Sequence, residues 1–240
     1  KVLVLRMAGP MQSWGSSSRF TRRSTEAFPT KSGILGLLAA AQGRRRTDPI
    51  EDLAQLRVAV RVDQRGELLR DFHTAHRGSE SMPLSERYYR ADAAFAGFVE
   101  GPNDLIDGLS QAILRPVFPL YLGRRSCPPT MPLRLAVRDE GMWDVITTTP
   151  WLASTYYQKK QCFEQYVSLR VLADEGVIPE SVGKTSAQTL QDVPVSFDSE
   201  HRMYTFRTVE ETRIALENPE YVQVSPLEDA RLGHDPMGVL

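Results

Sequence analysis

The chain has 240 residues, 41% hydrophobic and 25% charged, enough for one large domain or two small ones around a substantial core. No apolar run approaches the roughly 20 residues of a membrane helix, and the opening Lys1–Arg6 stretch is too short and too soon polar for a signal peptide. Cys127 and Cys162 are the only cysteines, which argues for a reducing cytoplasm and no disulfide framework. The net charge of −1 hides an asymmetry: residues 1–46 carry nine lysines and arginines against one acid, Glu26, and the remainder is net −9. Such a split fits an anionic partner on one face, or charges that intermix after folding.

Val2–Met7 is a continuous apolar-leaning run and predicts a buried central strand. Ala8–Ser18, rich in Gly, Pro and Ser, predicts a loop, followed by a basic connector with Arg19, Arg22 and Arg23. Pro29-Thr30-Lys31-Ser32 opens a helix that runs to about Gln42 and stops at Gly43. Ile34, Leu35, Leu37, Leu38 and Ala39–Ala41 make it apolar nearly all round, so it should be well buried. Arg57–Asp63 alternates as a half-buried strand, and the Asp63–Gly66 turn leads to a second strand, Glu67–His73. Periodicity vanishes over 74–90, which reads as an excursion from the core. Ala93–Val99 returns as a strand, and Pro102–Arg115 is an amphipathic helix with Leu105, Leu109, Ala112 and Ile113 on one stripe. A last strand is expected near Phe118–Leu122. This β-α-β-β-β-α-β order is close to a ferredoxin-like α+β unit. Beyond it, strand-like segments at Leu133–Arg138, Phe163–Leu172 and Met203–Arg207 suggest a β-rich second part.

Strong catalytic signatures are missing. Lys31-Ser32 resembles the end of a phosphate-binding loop, but threonines stand at positions 25 and 30 where glycines are needed. His73 and His76 could hold a metal or serve as acid and base, yet at a strand end their spacing is not pre-organised and no third ligand is evident. His201 and His234 have no evident partners. Anion binding is the better-supported chemistry. The helix opening at Thr30 offers backbone N–H groups and the positive dipole end beside Lys31 and Ser32, although Thr30 or Ser32 could simply cap it. Leu122-Gly123-Arg124-Arg125-Ser126-Cys127-Pro128-Pro129 is either an exposed basic turn or an RNA contact. Arg44-Arg45-Arg46 follows a helix end, where cations suit the dipole. Trp14 could stack on a base or fill the core.

Four stretches resemble one family when taken together: Gly9–Gly15 after the first strand, Phe28–Leu38 opening the first helix, Arg70–Thr74 before the excursion, and Tyr121–Pro128 after the second helix. Residues 1 to about 135 are similar to the CasD family of type I-E CRISPR Cascade complexes. The resemblance implies a ferredoxin-like (RRM-like) domain over 1–122 with a β-hairpin thumb at about 74–90. A glycine-rich loop and a smaller β-rich part would follow over 123–240. It implies a non-catalytic subunit that caps the 5′ handle of the guide RNA. Expected partners are the large subunit, the adjacent backbone subunit and, indirectly, target DNA; no membrane, cofactor or metal is expected. The expected RNA-binding residues are Gln12, Ser13, Trp14, Arg22, Arg23, Lys31, Ser32, His73, Gly123, Arg124, Arg125, Ser126 and Cys127. The alternatives are a metal-independent endoribonuclease that processes precursor guide RNA, with His73 and His76 at its centre, and a purely structural subunit.

Overall fold

The computed structural model describes residues 1–15, 22–74, 76–78, 80–81, 84–198 and 200–223, with backbone alone for Arg22, His76, Arg77, Glu80 and Ser81. Arg19, Met82, Pro83 and His234 lie outside the described residues.

The first strand, β1 (Val2–Gln12), is central. Leu3, Leu5 and Met7 point to one core, while Val2 and Val4 point to a second on the other face. This two-sided burial explains why the run is apolar without alternation. A two-residue strand, β2 (Arg22–Arg23), precedes α1 (Lys31–Gln42). Thr30 caps α1, its hydroxyl accepting from the Gly33 N–H at 3.2 Å. Gly43, at φ 81°, ends it in a left-handed turn whose N–H reaches Ala39 and Ala40 carbonyls. Next come the short helix α2 (Glu51–Ala54), then β3 (Arg57–Gln64) and β4 (Glu67–His73). The two-residue strands β5 (His76–Arg77) and β6 (Glu80–Ser81) pair with each other. One long strand, β7 (Ser85–Glu100), returns through the molecule. Its inner half pairs with β3 and its outer half with β4, from Glu67 opposite Ala91 to His73 opposite Ser85. The outer ladder is therefore an extended hairpin, with Leu68, Phe72 and Leu84 exposed. Its root turns at Gly66, φ 61°, where a Cβ would fall 2.3 Å from the Ala91 carbonyl oxygen.

Helix α3 (Asn103–Leu114) packs Ile106, Leu109 and Ile113 into the same core as α1. Then follow β8 (Arg134–Arg138), α4 (Met142–Thr148), α5 (Thr155–Lys160), β9 (Tyr166–Asp174), β10 (Ser186–Ser196) and β11 (Met203–Glu217). One large antiparallel sheet results, in the order β10-β11-β9-β3-β7-β1-β8. Helices α1 and α3 cover one face; Met142, Val145 and Ile146 of α4 close the second core on the other. No helix among the described residues is long and apolar enough to cross a membrane.

Four features differ from the sequence expectations. The first strand runs on to Gln12, pairing with β7, where a loop was expected from Ala8. The segment 118–122 is not a strand. Instead the N–H groups of Val117 and Phe118 donate to the Ala41 and Ala40 carbonyls at the end of α1, so this segment serves as a helix cap. The place beside β1 belongs to β8, which lies beyond the expected boundary at 122. The second part contains α4 and α5, too short to show a helical period, and β9 continues the sheet directly from β3.

Candidate nucleic-acid interface

The turn after β1, the leading end of α1 and the Gly123–Arg124 turn meet around one groove of about 470 Å³. Ser13 and Gly15 contribute from the first, Ser32 and Gly33 from the second. Arg23 of β2 joins them, and the β10–β11 turn with the start of β11 brings Phe197, Arg202 and Tyr204. None of its described lining residues is acidic.

Backbone chemistry holds the groove together. The Ser13 N–H donates to the Leu122 carbonyl at 3.0 Å, and Leu122 N–H donates to the Cys127 carbonyl at 2.7 Å, closing the 122–127 turn. Gly123 sits at φ 88°, and a Cβ there would fall 1.7 Å from the Ser13 carbonyl oxygen, so only glycine fits. The turn aims Arg124 back across the hairpin root. Its guanidinium lies 4.7 Å from the Tyr89 ring centroid, donates to the Tyr88 carbonyl at 3.2 Å and reaches the Arg23 carbonyl at 2.9 Å. These bonds use two of the five N–H donors of an arginine.

Arginines crowd this region. Arg23 pairs with Arg87 across the β2–β7 ladder, a like-charge juxtaposition that costs stability unless an anion intervenes. The Nε atoms of Arg87 and Arg90 are buried without a hydrogen-bond partner among the described residues. Neither arginine stood out in the sequence; what marks them is the register of a strand whose outer half lacks apolar periodicity. Arg125 and Ser126 are exposed beside Arg124.

Several expected contacts are placed differently. Gln12 is wholly buried: its Nε2 donates to the Met7 and Ala93 carbonyls at 3.1 and 2.7 Å, and its Oε1 accepts from Trp14 Nε1 at 3.0 Å. Trp14 is equally enclosed, its ring so close to Gly33 that a Cβ there would fall 2.7 Å away. This corrects the expectation of base reading for both; they form the wall behind the groove. Lys31 is corrected too. Its backbone N–H donates to Asp192 Oδ2 at 2.7 Å and its ammonium pairs with Asp174 at 2.9 Å, so the protein's own carboxylates occupy that end of the helix. Arg207 completes the network, gripping Asp192 from Nε and NH2 at 2.7 and 2.9 Å and also pairing with Asp174. Burial works to lower the pKa of Arg207, but the two carboxylates outweigh it and hold it above the ordinary value. Cys127 is buried, its thiol pushed up by that burial, and it packs under the turn. Ser32, nearly buried, keeps a place on the groove. Arg22 is placed by backbone alone, opposite Glu86. His73 lies apart from the groove on β4, with Nε2 2.5 Å from Asp71 Oδ2.

A family profile described as "CRISPR-associated protein (Cas_Cas5)" matches residues 2–210. The chain is 39% identical over 155 residues to the "CRISPR system Cascade subunit CasD" of Escherichia coli (strain K12), an alignment covering 55% of this chain and 69% of that protein. Among solved structures, a chain of a "CRISPR RNA-guided surveillance complex" superposes with a TM-score of 0.75 at 30% identity, covering 94% of this chain and 95% of the other. A second, titled "Crystal structure of Cas protein", gives a TM-score of 0.67 at 31% identity over 94% and 100%. The chain belongs to the Cas5 family of CRISPR-associated proteins.

Proposed function

We propose that this chain binds the 5′ handle of a guide RNA as a non-catalytic, cytoplasmic subunit of a Cascade-type surveillance complex, and that the handle lies in the groove beside Arg124. The observation that carries this reading is the convergence of two turns and a helix end, distant in sequence, on one groove with no acid among its described lining residues and with Arg23, Arg124 and Arg202 on its rim. Single-stranded RNA is recognised where phosphates meet arginines and splayed bases meet exposed polar and backbone groups. Ser13, Ser32, Gly123, Arg125 and Ser126 are the remaining contacts proposed from the turns.

The strand order β8-β1-β7-β3, crossed by α1 and α3, supports a ferredoxin-like reading of the first unit, with the later strands as a smaller second part. The β4–β7 hairpin, with Leu68, Phe72 and Leu84 exposed, is the proposed thumb. It would dock on the adjacent backbone subunit, and the large subunit would contact another face. Target DNA would be reached only through the guide.

The test is an Arg124→Ala/Arg125→Ala variant in the assembled complex. Reduced recovery of guide RNA is expected, with a salt slope lower by about 0.7 for each lost phosphate contact. Normal assembly on guide RNA overturns the placement. Cleavage of repeat RNA by the purified chain, lost on His73→Ala, would favour the endoribonuclease instead.

A further inference from the structure

The groove does not end at Arg124. Past Ser32 and Gly33 it opens into a second cavity of about 360 Å³ along α1, ending at the arginines that follow the helix. That volume lies at the low end of ligand sites, which run from roughly 300 to 1,000 Å³. The two cavities share Ser32, Gly33, Gly123, Phe197, Arg202 and Tyr204, so they form one continuous trough.

The second cavity has its own chemistry. Aromatic rings gather in it: Phe118 and Tyr121 from the segment that caps α1, and Phe197 and Tyr204 from the β10–β11 turn. The Phe197 ring lies over the middle of the helix, 3.6 Å from where a Cβ on Gly36 would stand. Three arginines reach it from the Arg44–Arg46 run, and they are not equivalent. Arg44 is committed to the Asp52 carboxylate and the Pro49 carbonyl. Arg45 and Arg46 are exposed and, like Arg202, form no ion pair among the described residues. No acidic residue lines the cavity among the described residues. The Asp48 carboxylate is held by the Arg45 backbone N–H at 2.7 Å, not by its guanidinium. Rings beside guanidinium groups without an ion pair match the two faces of a nucleotide, a flat base and an anionic phosphate.

We infer that this cavity takes one further nucleotide of the strand held in the first groove. Its base lies against Tyr121, Phe197 and Tyr204, and its phosphate against Arg45 and Arg46. The inference rests on the RNA-binding reading above and adds Tyr121 and the Arg45–Arg46 pair to the binding surface.

The test uses the full chain and 3′-fluorescein-labelled single-stranded repeat RNA of graded length, from about four to about ten nucleotides. Fluorescence anisotropy gives the affinity at each length. Wild-type affinity should step up once the strand is long enough to enter the second cavity. Tyr121→Ala, and separately Arg45→Glu/Arg46→Glu, all of which line the second cavity and not the first, should abolish that step, a loss of about tenfold, while the shortest RNA binds as before. The arginine pair is exposed, so its replacement leaves the fold intact and keeps the test decisive if Tyr121→Ala is unstable. Variants that follow wild type at every length overturn the inference. If Arg124→Ala meanwhile weakens the short RNA, the first groove stands and only the second cavity falls. Failure of wild type to bind RNA of any length ends both.

Discussion

Gly123→Ala tests the link between backbone geometry and the groove most directly. The new Cβ would sit 1.7 Å from the Ser13 carbonyl oxygen and 2.8 Å from its carbon, so one of the two backbones must retreat by about 1.3 Å or more. Holding alanine at φ 88° costs about 1–2 kcal/mol by itself. Displacing Ser13 also strains its N–H bond to Leu122 and its hydroxyl bond to Tyr88, each worth about 1 kcal/mol. The sum, about 3–4 kcal/mol, is a large share of the roughly 5–15 kcal/mol that holds a domain folded. For a chain of this size it corresponds to a fall in Tm of roughly 6–16 °C. Arg124 would be carried off the Tyr89 ring at the same time, so RNA affinity should fall together with stability. Differential scanning fluorimetry and anisotropy on the same preparation measure the two. A variant melting within about 2 °C of wild type and binding RNA equally well would refute the argument that this glycine positions the groove.

Two further outcomes follow from the buried groups. Asp192→Ala should cost about 2–4 kcal/mol in urea denaturation, because it removes two charged hydrogen bonds from Arg207, which keeps only Asp174, and leaves the Lys31 N–H without its acceptor; a loss below about 1 kcal/mol would show that water reaches the network. Native protein at mildly alkaline pH should react quickly with a thiol reagent at Cys162 alone. Cys127, buried and with its thiol shifted upward, should react only on unfolding, and rapid labelling of both would place the 122–127 turn in exchange with an open form.

Much of the first half was legible in the chain itself. The run Val2–Met7 announced a strand buried on both faces, and Thr30 and Gly43 bracketed α1 because capping is a local matter of a few residues. The stripe of α3 likewise needed only its own period. Gly123 was noticeable beside two arginines, and each of the three stretches that line the groove stood out: two as irregular turns and one as a helix opening. The hairpin emerged only in part: the loss of apolar period over 74–90 marked an excursion, but β4 and the outer half of β7 share its exposed ladder from residue 67.

What the tertiary structure decided was which group answers which. Trp14 could have faced a base or the core with equal propriety, and the glycine opposite it on α1 settled the matter by leaving room for the ring. The positive end of α1 was open to any anion until Asp192, 161 residues away, was brought to its N–H by the β10–β11 hairpin. The strand beside β1 could not be read from Phe118–Leu122, whose N–H groups go to the end of α1, nor could Phe197, Arg202 and Tyr204 be assigned to the groove. Local pattern reports that a face must be buried or a terminus satisfied. The partner that does so is selected by long-range sheet register, and no span of neighbouring residues records that choice.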